Sequence, residues 1–238
     1  MNTTSHNQGY DADPRWNAVD EYAFSHLHPN TSIPSNSVLE HVRSASEEAG
    51  LPDIAVSPPQ GKYLQLQARL VRAKNVLEIG TLGGYSTIWL AHACPDTKVT
   101  SVEVNEHHTN VARANVEYAG IADRVEVQLG PGMEVLPQLA EEVKTGKREK
   151  FQFVFIDADK SNNWNYVDIA LGMCESGACV VVDNVVREGR LAQDLDDASV
   201  QGARRVVEKI GKDKRLDGMV LQTVGDKSYD GFLFAVVR

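Results

Sequence analysis

Two short acidic runs stand directly behind apolar, strand-like stretches: Phe155-Ile156-Asp157-Ala158-Asp159-Lys160 and Val181-Val182-Asp183-Asn184. Carboxylates delivered to one sheet edge repel one another unless a cation or a proton neutralises them. Hard oxygen donors of this kind suit Mg²⁺ first, with Mn²⁺ or Ca²⁺ as alternatives, in roughly octahedral coordination, and do not suit a thiolate-seeking metal. Asp157, Asp183 and Asn184 form the expected ligand set. The competing reading is that the two aspartates only cap the helices behind them. Upstream, a third apolar stretch runs into Glu78-Ile79-Gly80-Thr81-Leu82-Gly83-Gly84-Tyr85-Ser86. Glycines there let the backbone approach a ligand just where a helix begins, which implies a nucleotide-like ligand. Glycines at 80, 83 and 84 do not have the GxGxxG spacing, so a dinucleotide is disfavoured, and a tight turn without a ligand is the alternative. A fourth stretch ends at Glu103, whose carboxylate can accept both hydroxyl hydrogens of a ribose or, in the blander reading, cap a helix.

These residues need a scaffold that brings strand ends together. From residue 76 onward, short apolar strands alternate with amphipathic helical segments, the signature of βαβ units in a parallel sheet. Strands are expected at 76–79, 99–102, 125–129, 153–156, 179–182, 219–223 and 231–236, and helices at 84–93, 106–119, 133–144, 162–174 and 200–211. The last two strands follow each other as a near hairpin, which predicts an antiparallel final strand. Before the sheet, Trp16, Val19, Tyr22 and Ala23, then Val38, Leu39 and Val42, recur at helical spacing on either side of the Pro29 to Pro34 stretch. Pro58 and Pro59 open a further helix whose Leu66, Leu70 and Val71 are expected to face the sheet. The expected fold is therefore α/β: a Rossmann-like, doubly wound, seven-stranded and mostly parallel sheet with a helical N-terminal extension. In such sheets ligands sit at the carboxyl ends of the strands, where all the residues above fall.

Composition narrows the function classes. With 42% hydrophobic residues in 238, the chain can bury a full core, and we read residues 16–238 as one domain behind a polar, flexible start of 15 residues. Cys94, Cys174 and Cys179 lack ligand or disulfide spacing and read as reduced core residues. A net charge of −9 argues against nucleic acid and anionic membranes as partners. No apolar run approaches the roughly 20 residues of a membrane span, and the start lacks signal-peptide features, so a cytoplasmic enzyme or binder is expected. The pair His107-His108 reads as a solvated helix start, Asp194-Leu195-Asp196-Asp197 as a loop and helix cap, and Trp89 as core. Trp16 and Trp164 are open candidates for lining an acceptor pocket.

Taken together, Ser57-Pro58-Pro59-Gln60-Gly61-Lys62, the 78–86 loop, Asp157-Ala158-Asp159-Lys160, Asp183-Asn184-Val185-Val186 and Tyr229-Asp230-Gly231-Phe232 carry a resemblance. From about Arg15 to its end the chain resembles the cation-dependent class I O-methyltransferases, which include catechol and caffeoyl-coenzyme A O-methyltransferases, and especially their small bacterial-type relatives. The resemblance implies a metal at Asp157, Asp183 and Asn184. It implies S-adenosylmethionine contacts at Val56, Glu78, Gly80, Ser86, Glu103, Val104, Gly132 and Asp157; Thr81 and Asp159 complete the expected cofactor set. It departs from plant relatives at Asn163-Trp164, where they carry tyrosine after the asparagine, and at Gly130-Pro131-Gly132, where relatives often carry alanine or serine. The implied reaction moves the cofactor's methyl group to one hydroxyl of a small phenol with two adjacent hydroxyls. A free phenol near pKa 10 is mostly protonated at neutral pH, so a chelating cation would favour the phenolate and orient it. Asp157 and Lys160 are the expected catalytic residues. Lys160 would take the transferred proton where a neighbouring cation disfavours its ammonium form; its alternative is a surface ion pair with Asp159. Family analogy also suggests a homodimer through the N-terminal lobe and the sheet edge. Rival readings are an NAD-type oxidoreductase and a noncatalytic nucleotide-binding protein.

Overall fold

The computed structural model describes residues 13–193, 195–225 and 227–238. Most of the flexible start expected from the sequence, residues 1–12, and Asp194 of the acidic run lie outside the described residues. Three helices, α1 (Pro14–Leu27), α2 (Asn36–Glu48) and α3 (Pro58–Leu70), precede the sheet. Strands and helices then alternate as β1 (Asn75–Ile79), α4 (Tyr85–Ala91), β2 (Lys98–Glu103), α5 (Glu106–Tyr118), β3 (Val125–Leu129), α6 (Gly132–Lys144), β4 (Phe151–Ile156), α7 (Asn163–Leu171), β5 (Cys174–Val182), α8 (Ala198–Ile210), β6 (Leu216–Gly225) and β7 (Ser228–Val237). The strands form one sheet in the order β3-β2-β1-β4-β5-β7-β6. Strands β1 to β5 pair in parallel, and β7 runs antiparallel to both β5 and β6, as the near hairpin predicted.

Helices cover both faces, so the central strands are buried on both sides and their residues alternate between two cores. Leu77, Ile79, Val154, Ile156, Val180 and Val182 pack toward α6, α7 and α8. Val76, Phe153, Phe155, Cys179 and Val181 pack toward α2, α3 and α4. Each wholly buried Phe or Leu contributes about 1.5–3 kcal/mol of apolar burial, which makes this double core the main source of stability. Cys174 and Cys179 are buried free thiols, and burial pushes the Cys174 thiol up to about 12, consistent with inert core residues.

The structure corrects three local readings. In α3 the buried residues are Gly61, Leu64, Gln65 and Ala68, whereas Leu66 and Leu70 are exposed. This face has i, i+3, i+4, i+7 spacing but includes a glycine and a glutamine, which hid it from a hydrophobicity count. Gly61 is the reason for the orientation: a Cβ there would lie 2.3 Å from the Trp89 indole. In α1, Val19 and Tyr22 are exposed, and the helix docks instead through Phe24 and the adjoining His28, whose rings lie 6.3 and 5.0 Å from that of Trp89. Finally, α7 ends at Leu171, and β5 starts at Cys174 with Gly177 at φ +85°, so the predicted helix to 174 ran into the next strand.

Candidate active site

Every strand that the sequence marked delivers its polar residue to the same edge, and backbone hydrogen bonds place them in step. Gly80 N donates to Val102 O (2.9 Å), Asp157 N to Ile79 O (2.8 Å), Asp183 N to Ile156 O (2.9 Å) and Gly130 N to Glu103 O (2.8 Å). The ends of β1, β2, β4 and β5 thus meet at the reversal of strand order, where α/β sheets leave a crevice. A cavity of about 610 Å³ occupies it, lined by Val56, Gly80, Thr81, Ser86, Glu103, Val104, Asp157, Asp159, Lys160 and Asn184 among others. A second cavity of about 440 Å³ adjoins it and is lined by Asp183, Asn184, Tyr63, Phe232 and Asp230 among others. Asn184, with φ +56°, lines both cavities, as do residues 53–56.

The glycine loop is shaped by contact rather than by turn geometry alone. Gly80 has φ +96°, and a Cβ there would sit 2.2 Å from the Asp157 carbonyl oxygen. Behind the loop, Glu78 is fully buried. It accepts hydrogen bonds from the Ser86 and Ser101 hydroxyls, both at 2.6 Å, and from Thr87. Burial raises its pKa from 4.5 to about 7, and the hydroxyls only partly offset this. Glu103 faces the first cavity. Its Oε2 accepts the Thr81 and Leu82 backbone N–H groups at 3.1 and 2.9 Å, and its Oε1 accepts Asn105 N at 2.9 Å. A carboxylate with about four lone-pair sites keeps room for ligand hydroxyls after these contacts. His108 lines the same cavity with Nδ1 3.6 Å from Glu103 Oε1, a placement its reading as a solvated helix start missed. The rings of His107 and His108 are 6.4 Å apart and tilted, and His107 Nε2 instead meets Ala49 O.

Lys160 pairs with Asp157, Nζ to Oδ1 at 2.6 Å, and not with Asp159 as the surface alternative had it. Asp159 is engaged by Asn162 at 2.6 Å, by Ser161 at 3.1 Å and by the Tyr166 hydroxyl, whose own ionisation burial disfavours. Gly132 begins α6 beneath the Tyr166 ring, which a Cβ would approach to 2.8 Å. Asp183 is buried, and desolvation followed by the charge of Asp157 pushes its pKa well above the usual carboxylate range. Among the described residues no three His, Cys, Asp or Glu side chains converge as a metal cluster. Asp157 and Asn184 line the first cavity and Asp183 and Asn184 the second, so the residues expected to bind a metal offer hard oxygen donors on adjoining walls. Trp164 lies away from both cavities, packed on the α6–α8 side of the core with the Lys209 ammonium 5.9 Å above its ring. The aromatic wall of the second cavity is the stacked pair Tyr63 and Phe232, 5.4 Å between centroids, which sequence spacing could not reveal because the two lie on α3 and β7.

A crevice at the carboxyl ends of a 3-2-1-4-5-7-6 sheet, with a glycine loop and an acid on the neighbouring strand, defines a nucleoside-cofactor enzyme of the doubly wound class. Residues 29–231 match the O-methyltransferase family model, and the chain belongs to that family. It is 45% identical over 234 residues to O-methyltransferase imqG of Aspergillus flavus, covering 97% of this chain and 94% of that one. It is likewise 45% identical over 231 residues to a catechol O-methyltransferase of Mycobacterium tuberculosis, covering 97% and 100%. The structure of the O-methyltransferase TomG from Streptomyces achromogenes, in complex with SAM, superposes with TM-score 0.85 at 40% identity, covering 94% and 97%. The chain is an S-adenosylmethionine-dependent O-methyltransferase. Of the rival readings, oxidoreductase and noncatalytic binder, neither matches this membership.

Proposed function

We propose that the protein methylates one hydroxyl of a small phenol bearing two adjacent hydroxyls, with a divalent cation, Mg²⁺ first, held by Asp157, Asp183 and Asn184. The observation that carries this reading is the position of Asn184 on both cavities, with Asp157 on the first and Asp183 on the second. The donor chemistry fits such an ion: burial and then the charge of Asp157 push the Asp183 carboxyl up, a strain that a cation would relieve, and Lys160 Nζ lies 2.6 Å from Asp157 Oδ1. A bound divalent ion would favour the ionised form of the acceptor oxygen and fix both of its vicinal oxygens.

This chain's own residues do the remaining work. Gly80 and Thr81 would let the cofactor approach the backbone, Glu103 would accept from its ribose hydroxyls, and Ser86, Val56 and Val104 would complete the surround, with Gly132 behind the Tyr166 ring that lines the same cavity. Glu78 fixes the loop from behind through Ser86 and Ser101. Asp159 anchors the turn that carries Lys160. Tyr63, backed by the Phe232 ring stacked on it, gives the second cavity an apolar wall for the acceptor ring. As the neutral amine, Lys160 would accept the phenolic proton through its Nζ lone pair, and Asp157 would hold the resulting ammonium in place. Positioning of two reactants in adjoining cavities is worth up to about 7–11 kcal/mol when alignment is good. The similarity to a catechol O-methyltransferase supports the acceptor class. The test is a mass-spectrometric screen of phenols with S-adenosylmethionine. Products gaining one methyl from vicinal diphenols but not from monophenols are expected; equal methylation of monophenols would reject the reading.

A further inference from the structure

Helix α1 rests on α3 and β6, yet none of its residues is buried, and Val19 and Tyr22 face solvent. Its anchor is Phe24 with the buried His28 that ends the helix, stacked on each other at 4.8 Å and both set against Trp89 of α4. His28 Nε2 lies 2.9 Å from the Pro34 carbonyl oxygen, which can only accept, so the neutral ring carries its hydrogen on Nε2 and leaves Nδ1 a bare acceptor. That buried Nδ1 has no hydrogen-bond partner among the described residues, and neither has the buried indole N–H of Trp89, whose ring centre is 5.0 Å from that of His28. An unmet acceptor beside an unmet donor is a complementary pair while the imidazole is neutral. Once protonated, Nδ1 becomes a donor facing a donor, and a charge has been added to a buried site.

The charged groups around the ring oppose that proton as well. Lys62 of α3 stands with Nζ 5.9 Å from the Trp89 ring centre; on the same helix Arg69 Nε donates to Ala93 O, His92 of α4 donates to Ile88 O, and on α1 itself His26 meets Tyr22 O. Burial lowers the His28 pKa from its ordinary 6.5, the Pro34 carbonyl opposes this in part, and the Lys62 ammonium adds to it. The docked ring thus holds a proton less readily than a released one, so docking is strongest above 6.5 and weakens as pH falls from there toward the docked value. Further along α1, Asp20 lines the second cavity, and a Cβ on Gly225 of β6 would lie 2.7 Å from its Oδ2.

Resting on the reading of the second cavity as the acceptor site, we infer that His28 is a positioning residue: its neutral ring clasps Trp89 and holds α1, with Asp20, as a wall of that cavity, and its protonation releases the wall. The test follows the purified enzyme from pH 7.5 to pH 5.5 by two readouts: hydrogen exchange of the α1 amides, corrected for intrinsic rate, and kcat and KM for catechol with saturating S-adenosylmethionine and Mg²⁺. At the acid end the wild type should exchange faster along α1 and show an acceptor KM raised by about fivefold or more relative to His28→Gln, which keeps a donor for Pro34 and an acceptor for Trp89 but takes no proton. Lys62→Gln, which removes the opposing charge, should move the wild-type transition to higher pH, and it serves if His28→Gln folds poorly. Coincident exchange curves for wild type and His28→Gln, an unmoved transition in Lys62→Gln, or a loosened α1 with unchanged acceptor KM would overturn the inference. Failure to methylate catechol at any pH would instead reject the acceptor reading, and the exchange curves alone would then decide the clasp.

Discussion

Glu78 and Lys160 are the residues whose surroundings, more than their identities, decide what they do. Glu78 is a carboxyl that folding buries completely among hydroxyl donors, so the folded chain holds its proton up to about pH 7 while the unfolded chain releases it near 4.5. The folded state therefore binds more protons than the unfolded one between those values, and stability must fall as pH rises through that window, by about 3 kcal/mol at most. Urea unfolding at pH 5 and pH 8 should show that fall in the wild type and a shallower one in Glu78→Gln; identical slopes would show that Glu78 is already ionised when folded. Lys160, held on Asp157 at 2.6 Å, is placed to accept a proton, and Lys160→Ala should lower kcat by about 10²-fold or more while changing cofactor affinity far less. A loss confined to cofactor binding, measured calorimetrically, would reassign the lysine to the cofactor. The acids were legible at this scale because each directly follows a run of core residues. His108, Tyr63 and Phe232 were not, since nothing in their local spacing says that α5, α3 and β7 bring them to the crevice walls.

At the scale of elements, α8 has a function that its sequence does not advertise. Asp197 caps it, as expected of the acidic run, and its buried face includes Gly202. A Cβ at Gly202 would meet the Lys160 carbonyl oxygen at 2.0 Å, so this glycine lets the helix support the turn that presents Lys160. Gly202→Ala should displace that turn and lower kcat by about tenfold without contact with either cavity, whereas unchanged kinetics would show that the turn is positioned independently of α8. The same logic explains why α3 was misread: Gly61 and Gln65 on a buried face look polar or neutral in sequence, and only the bulk of Trp89 on α4 makes that face the right one. Strand positions were easier to read because doubly buried strands are continuous apolar runs, and the alternation with helices marked them as mostly parallel, whereas their order came only from the structure.

Taken as a whole, the molecule is a sheet whose reversal of strand order gathers acids from neighbouring strands onto the boundary between two cavities, with Asn184 at the shared wall. Among the described residues no helix is long and apolar enough to cross a membrane. The claim on which everything turns is the proposed one that Asp157, Asp183 and Asn184 hold one cation, which would bind both vicinal oxygens of the acceptor. The direct measurement is methyl transfer to catechol, followed by mass spectrometry, in excess chelator and then with Mg²⁺ restored, alongside Asp157→Ala and Asp183→Ala. Loss of product in chelator, recovery with Mg²⁺ and no recovery in either variant are the predicted results; full turnover in chelator by the wild-type protein would contradict the account.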